Sequence, residues 1–372
     1  MASVSGVLKR YASGYIQMFG AQMNAQQRKT LRAVEACRES SLGTIDYVCA
    51  GCGQRQTVPR SCCNRHCAAC QWQRQRAWLA DQQRRLLPCA YFMITFTLPS
   101  QLRPLAIHRG AIVYRALLQA SAGAIKAGAK NPRFVGAVET GFTGVLHTWG
   151  RDLSYHPHAH FLVPAGGIDA AGRWQPSRAS VFVAEQVLER LFRERLKALL
   201  GKAGLLDQVD ASVWRGRFVV DSQAIGTGEE ALKYLAPYVS RGPVADWRVS
   251  ECNDADSLGK ATLSLQVKRT GTRQYRPMSL SVIEFMRRWL MHVLPSGLNR
   301  VRHYGFFSGS SRRELEEVKL LVAAALGQLH YLACTQILVH PQRSAMQCPH
   351  CGGPMQSLGY SPPPTLRPRA PP

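Results

Sequence analysis

The stretch HPHAHFLVP, residues 156–164, sets histidines two apart in a segment that reads as a β-strand. Strand side chains alternate between faces, so His158 and His160 point one way while Ala159, Phe161 and Val163 point toward a core. Two imidazoles converging on one side of a strand can hold a divalent metal.

Composition limits what such a metal would act on. The chain has 372 residues, a formal charge of +24 and a pI near 10.0, with arginine supplying most of the basic excess. Length allows one large domain or two or three smaller ones. The charge favours an extended polyanion, and arginine suits phosphate, so a nucleic acid is the expected partner. No basic amphipathic helix marks a membrane surface. The opening MASVSGVLKRYASGY lacks an uninterrupted apolar core, and the late apolar run Leu320–Ala333 is short and interrupted by Gln328 and His330. A soluble, cytoplasmic, nucleoid-associated protein with no membrane contact and reduced cysteines is expected.

Seven of the twelve cysteines fall between Cys37 and Cys70. Cys49, Cys52, Cys67 and Cys70 form two CxxC-type pairs that can supply the four thiolates of a structural Zn²⁺. Cys62 and His66, with Cys37, are surplus ligands for that site or for part of a second one. Cys63 and Cys89 read as small hydrophobes. The CPHC of Cys348–Cys351 is a weaker zinc candidate, with only Cys334, His340 or His350 nearby in sequence. It precedes SPPPTLRPRAPP, whose proline content predicts disorder.

Between these ends the pattern mixes strands and helices. Strands are predicted at Tyr91–Pro99, Val135–Leu146, His158–Val163 and Ala261–Lys268, and extended chain at Arg217–Asp221. Helices are predicted over QWQRQRAWLADQQRRLL, within Leu102–Ala127, over Val183–Leu200 and Gly228–Ser240, and around Ser281–Leu294. The expected fold class is α+β, with a zinc-binding head at 1–90, a main mixed domain at 91–310, and a C-terminal helix, CxxC motif and tail at 311–372.

In the helix GEEALKYLAPYVSR, Leu232, Leu235, Ala236 and Val239 share one arc. Tyr234 and Tyr238 are one turn apart on the opposite arc. A phenol can attack a phosphodiester that a divalent cation polarises, and the covalent phosphotyrosine retains the energy of the broken bond.

The runs GVLHTWGRDLSYHPHAHFLVPAGG, KYLAPYVSR, SCCNRHCAAC and HVLPSGLNRVRHYGF together resemble the insertion sequence 91 family of rolling-circle transposases, which are HUH endonucleases. The resemblance covers about Cys37 to residue 355 and implies a central antiparallel sheet flanked by helices, the histidine strand in the middle and the tyrosine helix packed nearby. It implies His158 and His160 as ligands of a catalytic Mg²⁺ or Mn²⁺, and Tyr234 and Tyr238 as nucleophiles. For the third ligand it favours His147, eleven residues before His158, over His156. The reaction implied is cleavage of single-stranded or locally melted DNA at an element end, leaving a 5′-phosphotyrosine and a free 3′-OH. Pro237, where the family usually has arginine, should remove a helical hydrogen bond, at a cost of ~3 kcal/mol in a regular helix. Cys63 replaces another commonly basic position. In the head, Arg65, Arg74, Arg76, Arg84 and Arg85 are the candidate contacts to element ends, with Trp72 and Trp78 as stacking or packing residues. Arg300, Arg302, His303 and Tyr304 form a second candidate contact. The competing readings are a replication initiator with the same chemistry and a noncatalytic zinc-bearing DNA-binding protein.

Overall fold

The computed structural model describes residues 3–70, 72–240, 242–253, 258–268, 272, 274–327 and 346–363. The elements begin with α1 (Val4–Phe19), α2 (Ala25–Glu35), β1 (Thr44–Cys49), β2 (Arg55–Pro59), α3 (Trp72–Arg85) and β3 (Tyr91–Thr97). They continue with α4 (Arg103–His108), α5 (Gly110–Lys130), β4 (Phe142–Trp149), β5 (Tyr155–Pro164), β6 (Gly166–Ile168), β7 (Trp174–Pro176), α6 (Glu185–Lys202) and β8 (Val220–Ala224). The last are α7 (Glu229–Ser240), β9 (Val249–Asn253), β10 (Thr262–Lys268), β11 (Tyr275–Ser281), α8 (Val282–Met291), β12 (Val301–Tyr304), α9 (Leu315–Ala325) and β13 (Met355–Ser361).

The chain forms two compact units. One comprises Met1–Ala77, Ser240–Val293 and Val339–Pro372, the other Trp78–Val239 and Leu294–Leu338. These lines differ from a head ending at residue 90, because the chain returns to the first unit twice. In that unit α1 buries Val4, Val7, Leu8, Tyr11, Ala12 and Tyr15, a stripe at helical spacing, and Ser3 caps its first turn. Asn24 and Gln27 form a capping box at the start of α2. The unit holds two antiparallel three-stranded sheets, ordered β13-β1-β2 and β11-β10-β9. Helix α8 buries Phe285, Met286, Trp289 and Leu290.

The second unit is built on a five-stranded antiparallel sheet, β12-β4-β5-β3-β8, with β5 in the middle. This is the expected α+β fold with the histidine strand central. One face carries Phe96, Phe142 and Phe161, whose rings meet one another at 5.7 and 5.8 Å between centroids. Phe192 of α6 adds a further ring 5.0 Å from Phe96, so α6 covers that face. The other face presents Tyr91, Met93, Val145 and Leu162 to a core shared with Leu232 and Leu235 of α7 and Val318 and Val322 of α9.

Some boundaries move. The strand expected at Val135–Leu146 begins only at Phe142, because Gly136 takes φ +73° in a turn that returns its N–H to the Asn131 carbonyl. The helix expected within Leu102–Ala127 is divided at Arg109, whose backbone leaves the helical region at φ −120°, ψ 34°. Cys334, His340 and the tail beyond residue 363 lie outside the described residues.

Gly305, in the HYGF run after β12, has φ +57°, and a Cβ there would lie 1.6 Å from the Thr140 carbonyl oxygen. Gly305→Ala is therefore expected to destabilise the protein by about 2–4 kcal/mol, read as a lowered urea midpoint at unchanged m-value.

Candidate active site and metal centres

Strand register builds the histidine site. On β4, His147 pairs directly with His158 of β5, and Val145 pairs with His160. On the other side of β5, Thr95 of β3 pairs with His160. Directly opposed residues of an antiparallel pair share a face, so His147, His158, His160 and Thr95 are brought together. The ligand nitrogens of the three histidines all lie within 4.8 Å of one another. Their ring centroids are 4.6 to 5.2 Å apart.

Hydrogen bonds orient the rings. His158 Nδ1–H donates to the His156 carbonyl at 2.6 Å, and His160 Nδ1 is bonded to Thr95 Oγ1 at 2.9 Å. The carbonyl fixes the His158 proton on Nδ1 and leaves Nε2 its lone pair, as a metal ligand requires; His160 is set the same way when its Nδ1–H donates to the Thr95 hydroxyl. Burial holds His158 down to about 4 and His160 to about 3, and drives His147 well below its ordinary value. All three are thus neutral at physiological pH and competent to bind a divalent cation. His156 does not fall within this group, and its Nδ1 lies 2.9 Å from Arg103 Nη2.

Helix α7 lies on the same face. Leu232 and Leu235 pack with Met93, Val145 and Leu162, which stand two residues along or directly across the sheet from Thr95 and His160. Tyr234 and Tyr238 are one turn apart in α7, which is helical through Pro237 to Ser240. The side chains of Arg74, Tyr234, Pro237 and Tyr238 lie outside the described residues. At the end of the helix, Arg300 Nη1 donates to the Val239 carbonyl at 3.3 Å. The same buried guanidinium stands 5.4 Å over the Trp149 ring and helps depress His147.

The cysteines divide differently from the expected grouping. Cys37, Cys62, Cys67 and Cys70 form one cluster, and Cys49, Cys52, Cys348 and Cys351 another. Cys49 and Cys52 therefore do not share a site with Cys67 and Cys70, because β1 carries them to the segment before β13. His66 is no ligand in either cluster: it is buried with Nε2 3.1 Å from the Trp289 carbonyl and its ring 4.3 Å from the Trp289 ring. Cys63 is exposed at φ +49°, not a core hydrophobe, whereas Cys89 packs at a core edge with its thiol pushed up to about 12 by burial.

Residues 141–314 match the family model described as "Putative transposase", and residues 7–98 match "Transposase zinc-binding domain". The chain is 34% identical over 331 residues to "Putative transposase y4qJ" of Sinorhizobium fredii, across 84% of this chain and 81% of that protein. It belongs to the insertion sequence 91 family of transposases. A transposase for insertion sequence element IS801 of Pseudomonas savastanoi pv. phaseolicola is 26% identical over 300 residues, across 75% of this chain and 70% of that protein. No solved structure matches.

As a transposase the protein acts on DNA and carries Zn²⁺ in its head; no helix among the described residues is long and apolar enough to cross a membrane. The cluster at Cys37, Cys62, Cys67 and Cys70 lies wholly within the matched zinc-binding domain. Its nearest Sγ pairs are 3.3 to 3.7 Å apart, close to the ~3.8 Å between thiolates around a tetrahedral zinc. Of the candidate DNA-contacting arginines, Arg76 is exposed and Arg65 half-buried. Arg84 and Arg85 both reach Asp81, at 3.1 and 3.9 Å, so part of their charge is already matched within α3. Trp78 packs against the core of the second unit, the role usual for a helix tryptophan. In the later cluster, Arg300 is buried and Tyr304 stacks near Phe142 at 5.0 Å. His303 bonds Thr143 at 3.0 Å, which makes this cluster more a packing element than a free basic patch.

Sequence reasoning missed Thr95, and it read Arg300 as a DNA contact rather than as the buried guanidinium beside His147. Thr95 and Thr97 share one face of YFMITFT, and only register assigns Thr95 to His160. If the three histidines hold a divalent cation, Thr95→Val is expected to leave the fold intact while weakening that binding by ~10–100-fold, measured by calorimetric titration with Mn²⁺.

Proposed function

We propose that this transposase cleaves and joins single DNA strands through a covalent 5′-phosphotyrosine, as in rolling-circle transposition. The observation that carries the reading is the placement of three neutral histidines on the sheet face against which the helix bearing Tyr234 and Tyr238 packs. A Mg²⁺ or Mn²⁺ ion held by His147, His158 and His160 would polarise the scissile phosphate and offset its developing charge. Imidazoles suit Mn²⁺ better than Mg²⁺, with substrate phosphate and water supplying the oxygens that both ions favour.

In the proposed step a tyrosine Oη forms a bond to phosphorus as the bond from phosphorus to the 3′ oxygen breaks. The phenolic proton is balanced by the proton gained at the 3′-OH, which is then free to prime synthesis. The second tyrosine allows a second strand to be cut while the first remains attached. Thr95 and the His156 carbonyl hold the imidazoles in the ligating tautomer, and Arg300 anchors the end of α7 beside His147. Single-stranded or melted element ends in the nucleoid are the proposed substrate, with the exposed Arg76 and half-buried Arg65 of the head as contacts.

With Mn²⁺ and a labelled single-stranded element end, the protein is expected to form an adduct stable in denaturing gels. Tyr234→Phe with Tyr238→Phe should abolish it, and His158→Ala with His160→Ala should reduce it at least ~100-fold. An adduct that survives the double phenylalanine variant would refute the mechanism. The pH dependence has a defined sign. The folded histidines titrate at about 4 and 3, below the ~6.5 of an unfolded chain, so the unfolded state takes up protons first as pH falls. Stability of the cation-free protein should therefore decline from about pH 6.5 toward 4, while Mn²⁺ binding to the folded protein persists at pH 5.5, checked by thermal melts and calorimetry across that range.

A further inference from the structure

The second cysteine cluster lies only half within the matched zinc-binding region, because Cys348 and Cys351 come from the far end of the chain. Its two contributors are the segments CAGCGQ, residues 49–54, and CPHCGG, residues 348–353. They fold alike. Cys49 N–H donates to the Gln54 carbonyl at 2.9 Å, and Cys348 N–H donates to the Gly353 carbonyl at 2.8 Å. Gly53 N–H returns to the Cys49 carbonyl at 3.0 Å, and Gly352 N–H to the Cys348 carbonyl at 2.9 Å. Both glycines take φ +72°, a left-handed conformation that suits glycine.

The two turns face each other with their thiols inward. Cys49 Sγ is 3.4 Å from Cys351 Sγ, and Cys52 Sγ is 3.6 Å from Cys348 Sγ. These separations are too long for disulfides and near the ~3.8 Å spacing of a tetrathiolate zinc.

The surrounding sheet needs such a ligand. Strand β13 pairs with β1 from Thr44 opposite Ser361 to Cys49 opposite Met355. Along β13 only Met355 is buried, and β2 buries none of its residues. The core beside the cysteines consists of Cys49, Cys348 and Met355, with Tyr47 and Met346 partly buried against it. So little apolar surface cannot by itself hold a strand that arrives from three hundred residues away in sequence. Metal ligation supplies the missing free energy in small folds of this kind.

We propose that Cys49, Cys52, Cys348 and Cys351 bind a second zinc ion, forming a zinc ribbon assembled from two distant parts of the chain, and that this ion keeps β13 on its sheet. The two sites differ in shelter: Cys52 and Cys351 are exposed, whereas in the first cluster Cys37 and Cys67 are buried and Cys62 and Cys70 half-buried. The ribbon ion should accordingly be the first lost to a chelator.

Metal analysis of the full-length protein is expected to find two zinc ions per chain, falling to one in C348S/C351S. C351H, which restores a nitrogen ligand, should keep two. Hydrogen exchange of C348S/C351S should show faster exchange in β1 and β13 with the five-stranded sheet unchanged. Should that variant not fold, cobalt(II) titration of zinc-free wild-type protein reads the same quantity, with tetrathiolate absorption saturating at two equivalents. One zinc or one cobalt equivalent in the wild type, two zinc ions in C348S/C351S, or disulfides among these cysteines in the freshly purified protein would each overturn the proposal.

Discussion

The register of β4 and β3 against β5 is the constraint on which the histidine site depends. His147 meets His158, and Thr95 meets His160, only because each pairing is held to the residue. What holds it is the opposite face, where Phe96, Phe142 and Phe161 interlock. Gly144 belongs to this arrangement, since a Cβ there would lie 2.6 Å from the Phe161 ring. A slip of one residue would exchange the faces, driving imidazoles into the phenylalanine layer and rings into the site. The geometry at the histidines is therefore maintained by side chains that take no part in any chemistry there.

Burial of that face has an electrostatic result. The chain is strongly basic, and Arg103 and Arg300 both act on the histidine group, Arg103 at His156 and Arg300 at His147. Desolvation and these neighbouring charges disfavour protonation together, and at His156 they outweigh the opposing carboxylate of Asp152. Neutral imidazoles are ligands; they are poor proton donors. The site thus reads as a place to hold a cation, whose own positive charge would attract phosphate to a surface already favourable to it.

The sequence made some of this legible and hid the rest for definite reasons. A strand with period-two histidines and an apolar complement announces its two faces, the mixture of strands and helices indicates the α+β class, and the family resemblance implied the strand's central place. The α7 arc of Leu232, Leu235 and Ala236 was equally plain, and all three are buried. Thr95 was not legible, because nothing in YFMITFT states which residue of another strand it will face. His66 was misread as a ligand for a related reason. A histidine one residue from Cys67 is near a metal in sequence, yet its ring turns to Trp289, some two hundred residues onward.

The cysteines carry this distinction furthest. Spacing within a CxxC pair reports local geometry, since the two thiols must point the same way from one tight turn. It carries no information about which other pair completes the tetrahedron. Two neighbouring pairs in the head invited a single site, but Cys49 and Cys52 end a strand whose partner is β13, while Cys67 and Cys70 lie in the segment that meets Cys37. The glycine after each outer pair was the usable clue. Gly53 and Gly352 mark the same left-handed turn, and two half-sites with matching turns are complementary to each other in a way that CAGCG and CAACQ are not. Matching the turns rather than counting the cysteines would have joined residues 49 and 351 from the sequence alone.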